Sequence, residues 1–259
     1  MTAFVGRPSD DVPQILATGR SDITTVYLSM AARHPDGRDA EYIEWHGLDH
    51  EPDQHRLAAL RASMRLVSTP ACRRARAASE DRYDAVDHVM TYLFTDDSSF
   101  EVFDALNVAM TEAGRNPYHR GQPIGVQIPA MPLLERGAYR VTGRVASRRI
   151  KVGADVLPWR PARGVYLLIE HGPAAPTDLA EVPGVAGVWT ATGLPLEPPY
   201  ATTDLGGLQL TYCYLDDDPA DTAERIRPLL AQRWDDALTP LLAAPFHTVV
   251  RYDWGRYLP

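Results

Sequence analysis

The sequence predicts an α+β protein in which two βαββαβ units follow one another in a single chain. Three observations lead to that class. Runs of strand length, rich in β-branched and aromatic residues, alternate with stretches of helical length. The order strand, helix, strand, strand, helix, strand can be read twice. Short matches also link the halves in the same order, the mark of an internal repeat. "TTVYLSMAARHPDG" from Thr24 resembles "RGVYLLIEHGPAAP" from Arg163, sharing Val-Tyr-Leu. "MRLVSTP" ending at Pro70 is matched by "GVWTATGLP" ending at Pro195, and "TYLFTDDSSFEVFDAL" from Thr91 by "TYCYLDDDPADTAERI" from Thr211.

In the first unit the expected strands are "ITTVYLSMA", "LRASMRLVS", "AVDHVMTYLF" and "AYRVTGRVAS". The first helix is expected from about Asp39 to Arg56. The second follows Asp96 and Asp97, whose side chains or a neighbouring serine can accept from free amides at the N-terminus, and Gly114 supplies its stop. In the second unit the strands are "RGVYLLIEH", "VAGVWTATG", "LQLTYCYL" and "FHTVVRYDW". Its second helix is "PADTAERIRPLLAQRWDDAL", with a bend expected near Pro228, and its first helix shrinks to "PTDLAEV". Segments 115–136 and 194–206, rich in Pro and Gly, read as loops. The units are placed at 20–150 and 160–259.

Each βαββαβ unit is a ferredoxin-like plait, an antiparallel sheet with helices on one face. One plait leaves its other face bare. Two can bury those faces against each other, so the expected architecture is a pair of tandem ferredoxin-like units forming a dimeric-type α/β barrel within one chain.

Composition narrows the function. The 259 residues are 45% hydrophobic and 23% charged, with a formal charge of −8. Without a basic stripe interleaved with aromatics, a nucleic-acid backbone is not the expected partner. The basic stretch "CRRARAASEDR" reads as a solvated loop. No apolar run is long enough to span a membrane and the start lacks the features of a secretory signal, so no membrane partner and a cytoplasmic location are expected. Cys72 and Cys213 stand far apart without a CxxC, which excludes a disulfide framework and a cysteine zinc site. Cys213 lies in a strand-like run and reads as a buried, inert thiol. GxGxxG after a strand, a Walker loop, a GxSxG elbow and HExxH are all absent, so nucleotide, hydrolase and zincin chemistries lack their supports.

Candidate chemistry gathers in "EYIEWHGLDHEPDQHRL", residues 41–57. His46 and His50 are four apart and share a helical face, with Asp49 and Asp53 nearby. The pair could hold a divalent metal if a third ligand joined it. Alternatively one imidazole moves a proton while Asp49 or Glu44 orients it. A third reading leaves Glu41, Glu44, Asp49, Glu51 and Asp53 facing water and the histidines merely packed. Elsewhere, alternation sets Val86, His88, Met90, Tyr92 and Phe94 on one face of a strand, where His88 must find a partner or face a ligand. Arg61 and Arg65 alternate on the neighbouring strand and could anchor an anion. His171 and His247, at strand ends, read as structural, and His119, with Tyr118 and Arg120, as part of a loop.

"YIEWHGLDHEPDQHRLAALRAS" is similar to the first-helix signature of EthD-like and related small dimeric α/β-barrel proteins. In that signature an aromatic pair is followed by an acidic residue, a histidine and, two positions on, a proline. Trp45, Asp49, His50 and Pro52 match it; His46 departs, standing where an aromatic is common. The resemblance implies a superfamily containing cofactor-free monooxygenases, polyketide cyclases, lactone isomerases, some haem enzymes and members without known activity. The expectation is a cofactor-independent acid-base enzyme acting on a hydrophobic, oxygenated or aromatic small molecule, of isomerase, cyclase or monooxygenase type. His50 would be the base or acid, Asp49 its orienter, and Trp45, His46, His88 and Tyr92 the substrate-binding walls, with no metal. The alternatives are a haem enzyme using one histidine as axial ligand, a divalent metal at His46 and His50, and a non-catalytic small-molecule binder. Association into a homo-oligomer through exposed edges stays open.

Overall fold

Strand β1 (Thr25–Ala31) divides its side chains between two layers: Val26, Leu28 and Met30 enter one apolar core and Tyr27 another. This alternation sets the architecture, because a sheet with two apolar faces must be covered on both. The computed structural model describes residues 23–96, 100–115, 131–173, 178–197, 200–234 and 238–258.

After β1 comes a helical arm, α1 (Asp39–Trp45), a wide turn over His46–His50 and α2 (Glu51–Gln54). Then follow β2 (Leu60–Val67), α3 (Pro70–Arg74), β3 (Ala78–Ser79), α4 (Asp81–Asp84), β4 (His88–Phe94), α5 (Phe100–Glu112) and β5 (Leu133–Ala146). The second half holds β6 (Gly164–His171), a short turn at Leu179–Glu181, β7 (Val185–Gly193), β8 (Leu208–Leu215), α6 (Pro219–Trp234) and β9 (Thr239–Thr248).

Among the described residues the sheet order is β2-β4-β1-β5-β7-β8-β6-β9-β3, with β2 also pairing β9. Setting aside the two-residue β3, each half shows its second, third, first and fourth strands side by side, the order of a ferredoxin-like plait. The β5–β7 seam is long, from Tyr139↔Gly193 to Ala146↔Gly187. The β2–β9 seam is short, only Leu66↔Thr248 and Val67↔His247, and it closes the barrel. Leu28, Val89, Tyr139, Leu167, Trp189, Tyr212 and Phe246 fill the interior and are buried. The barrel is thus a packed core, and α5 and α6 cover its outside on separate apolar clusters.

The helix ends follow from local chemistry. The Asp218 carboxylate accepts from the Ala220 and Asp221 amides at the start of α6. At the end of α5, Gly114 adopts φ +70° and the Arg115 amide reaches back to the Met110 carbonyl. Among the described residues no helix is long and apolar enough to cross a membrane.

Three expectations change. The last strand begins at Thr239, ahead of the expected start at Phe246, and stops at Thr248 short of "VVRYDW". Pro240 and Pro245 hid it. Pro240 sits at the register shift against β6. Leu241 and Ala243 direct their carbonyls to Glu80 and Ala77, so Pro245, on the same side, presents its missing N–H to the gap between β3 and β2. Strand β5 starts at Leu133, inside the stretch read as loop, because "LLERG" pairs with β1. The stretch "CRRARAASEDR" is not a solvated loop: the Thr69 hydroxyl caps α3, β3 pairs with β9, and Arg73 and Arg76 converge on the buried carboxylate of Asp87.

Candidate functional site

The pairing registers of the N-terminal strands lay out rows across the sheet. One row reads Arg65, Met90, Ser29, Arg136 from β2 to β5. On one side of it runs Ser63, Tyr92, Tyr27, Ala138, and on the other Val67, His88, Ala31, Leu133.

Over these rows lies the helical arm. Pro52 has no N–H to give the Leu48 carbonyl, and its ring would crowd that oxygen. The helix responds by widening rather than breaking: the Glu51 amide bonds to the His46 carbonyl five residues back. This π-turn leaves Leu48 exposed and buries His46 and His50, which are 3% and 7% accessible.

Between the arm, α5 and the sheet is a cleft of about 600 Å³ lined by His46, His50, Trp45, Tyr42, Tyr92 and both arginines of the central row. His46 Nε2 shares a hydrogen bond of 3.2 Å with the Tyr92 hydroxyl. Trp45 stacks on His50 with centroids 5.0 Å apart, and the two imidazoles meet edge to face at 5.4 Å. His50 Nδ1 is buried without a hydrogen-bond partner. Burial, then the positive charge of Arg65 and the neighbouring His50, holds His46 well below the usual imidazole range. Burial and Arg65 likewise bring His50 down to about 4, against the opposing influence of Asp49 and Asn107. Both rings are neutral at neutral pH, and Tyr92 is pushed up by burial and stays protonated.

The other expected residues lie differently. His88, fully buried, donates from Nε2 to Asp39 Oδ1 at 2.6 Å, at the start of α1, and is not part of the cleft wall. Burial lowers His88 despite that carboxylate. Burial works to raise Asp39, but its bonds from His88 and the His34 amide outweigh that and hold it low. Asp49 is half-exposed and paired with Arg115, which also takes Asp53. It is not in the cleft wall, and the structure does not bring it into hydrogen-bond contact with His50. Glu51 is buried and accepts from Ser63.

Arg65 reaches the cleft, its guanidinium 5.5 Å from the Tyr42 ring centroid, whereas Arg61 is exposed. His247 stacks on Tyr257 at 4.1 Å. His119, Tyr118 and Arg120 lie outside the described residues.

A second cavity of about 540 Å³ opens where the β2–β9 seam is unpaired, with His46 and Arg65 on the partition. Ser63 faces it, and His55 Nε2 lies 2.6 Å from Ser63 Oγ. The Glu51 carboxylate touches that same serine and lies 3.6 Å from the same His55 Nε2, so it does not hold the ring by its other nitrogen, as an acid orienting a base would. Among the described residues no group of three or more His, Cys, Asp or Glu side chains could hold a metal ion. The His46–His50 pair finds no third ligand there.

Sequence reasoning did not find Arg136, Asn107, Tyr42 or Asp39. Arg136 lay in a stretch read as loop, and only the β1–β5 register puts it opposite Ser29. Asp39 carried a usable signal, an acid at a helix start with a lone strand histidine elsewhere needing a partner.

No protein-family profile matches the chain. No curated protein matches it either. Among solved structures it is similar to a protein assigned as a monooxygenase from Lactobacillus acidophilus, at 10% identity over 87% of this chain and 96% of that one, TM-score 0.41. A protein assigned as a chlorite dismutase is similar at 10% identity over 92% and 100%, TM-score 0.46. The dye-decolorizing protein from V. cholerae is similar at 10% identity over 88% and 94%, TM-score 0.43. Likenesses this distant leave the chemistry to be argued from the chain's own residues.

Proposed function

We propose that the chain is a cofactor-independent acid-base enzyme acting on a hydrophobic, oxygenated or aromatic small molecule, by isomerisation, cyclisation or oxidation. The observation that carries this is the neutral, buried imidazole of His50, held on the wall of an aromatic cleft with Nδ1 unpartnered. A neutral imidazole accepts a proton from a carbon or hydroxyl acid, and a small turn of the His50 ring would bring this nitrogen, now closed off from solvent, to a substrate in the cleft. The stacked Trp45 fixes the ring plane, and the His46–Tyr92 pair can hold a proton at the developing oxyanion. His88 and Asp39 position the start of the arm. Asp49 acts at longer range, its negative charge raising the His50 value towards neutrality. The EthD-like resemblance of residues 42–63 and the division at 20–150 and 160–259 belong to the same proposal.

The test is deuterium exchange at the acidic C–H of a panel of aromatic ketones and lactones. Wild-type protein should accelerate it, and His50→Ala should abolish the acceleration while melting normally. Equal exchange in both would end the reading. In the alternative reading His50 would hold a haem, which when bound would supply redox chemistry. A Soret band in freshly purified protein, lost in His50→Ala, selects that alternative. Ligand binding that survives without exchange selects a non-catalytic binder.

A further inference from the structure

We infer that the cleft takes its ligand by an anionic group held between Arg65 and Arg136, so that the substrate class is an aromatic or conjugated carboxylate. This rests on the reading of the cleft as the ligand site and goes beyond it, since acid-base chemistry by itself requires no charge on the substrate.

The geometry comes from the central row of the sheet. Arg65 pairs with Met90, Met90 with Ser29 and Ser29 with Arg136, so the two arginines stand at the ends of one four-strand row. Three strand spacings put their backbones about 14 Å apart, a span that two long side chains can bridge from opposite ends. Between them the floor is low, a flexible methionine and a serine.

The pairing state of the guanidinium groups singles out these two. Among the described residues six arginines have a buried guanidinium nitrogen without a hydrogen-bond acceptor. Four of them reach a carboxylate through another part of the head: Arg33 and Arg76 to Asp87, Arg82 to Glu135, Arg144 to Asp155. The remaining two, Arg65 and Arg136, pair with no carboxylate, and both line this cleft. A guanidinium taken partly out of water without a counter-charge is a cost to the folded chain, which a bidentate carboxylate offsets.

The surroundings agree. Among the described lining residues Asp104 is the one carboxylate, against two arginines, in a chain whose formal charge is −8. Asp49 and Asp53, near the arm, are already taken by Arg115. The faces above the row are aromatic and stacked, Tyr42 with His46 and Trp45 with His50, which favours a flat ligand. A carboxylate on Arg65 would also offset one of the charges that keep His50 low, so ligand binding would bring the base towards its working range.

Calorimetric titration of the full chain with 1-naphthoate and its neutral counterpart 1-naphthamide tests this. Naphthoate should bind saturably and at least about tenfold more tightly than the amide, as loss of a charge-assisted hydrogen-bonded pair implies. Arg65→Gln and Arg136→Gln should each weaken naphthoate by about tenfold or more without changing the amide. Arg65→Lys should recover part of the loss. Should a Gln variant fail to fold, the naphthoate-to-naphthamide ratio in wild-type protein and its decline with added salt still decide the matter. Absence of saturable naphthoate binding, or equal binding of acid and amide, overturns the proposal. Because binding is read without turnover, that failure is separate from failure of the acid-base reading, which the His50→Ala exchange experiment decides alone.

Discussion

Acid should destabilise this protein through His50 by an amount that can be worked out. In the folded chain its value is about 4, against an ordinary 6.5. The unfolded chain therefore binds the proton first as pH falls, and the stability that the neutral ring confers is complete above about 6.5 and drains away towards 4. The full difference corresponds to about 3 kcal/mol, of which about 2 kcal/mol is gone by about pH 5. Buried His46 and His88 are shifted in the same direction and add to the total slope. The informative comparison is with His50→Gln, which keeps a polar side chain of similar size and removes the titration. Urea unfolding of both proteins at about pH 7.5 and about pH 5 should show wild type losing about 2 kcal/mol more than the variant. Identical losses would mean that His50 is not held neutral by burial and Arg65, and its reading as a neutral base would fall with it.

Three further outcomes are expected. Tyr92→Phe removes the partner of His46 Nε2 inside the cleft; unfolding should cost about 1–3 kcal/mol less, and a stability unchanged in urea would deny that bond. Pro52→Ala restores the N–H that the Leu48 carbonyl lacks, so the wide turn should relax to a regular helix and His50 should rotate from its pocket. Its NMR titration should rise by about a unit or more, and an unmoved midpoint would show that Pro52 does not set the turn. Arg233→Ala strands Glu170, which is fully buried and bound by Arg233 and Trp234; a loss of about 3–5 kcal/mol in thermal or urea unfolding is expected, and a loss under about 1 kcal/mol would refute the pairing.

Much of the strand pattern was legible because alternation is a local property. "VAGVWTATG" and "LQLTYCYL" coincide with β7 and β8, and α5 stops before Gly114 as its sequence suggests. The misreadings fall where a local signal is silent about a partner. Pro245 reads as a strand breaker until the gap between β2 and β3 is known, and Arg136 reads as loop until β1 lies beside it. His46 and His50 were visible as a spaced pair, but their burial depends on a π-turn that Pro52 forces and the sheet below rewards.

By itself the sequence determined the α+β class, the order of the eight long strands and the two long helices, and the aromatic, histidine-bearing arm, since these follow from periodicity and from the stereochemistry of neighbouring residues. Only the tertiary structure decided that the barrel interior is filled, that a cleft lies between arm and sheet, and that Arg65 and Arg136 end one row. Those are consequences of register between strands far apart in the chain, and register is fixed by which apolar faces must be buried together.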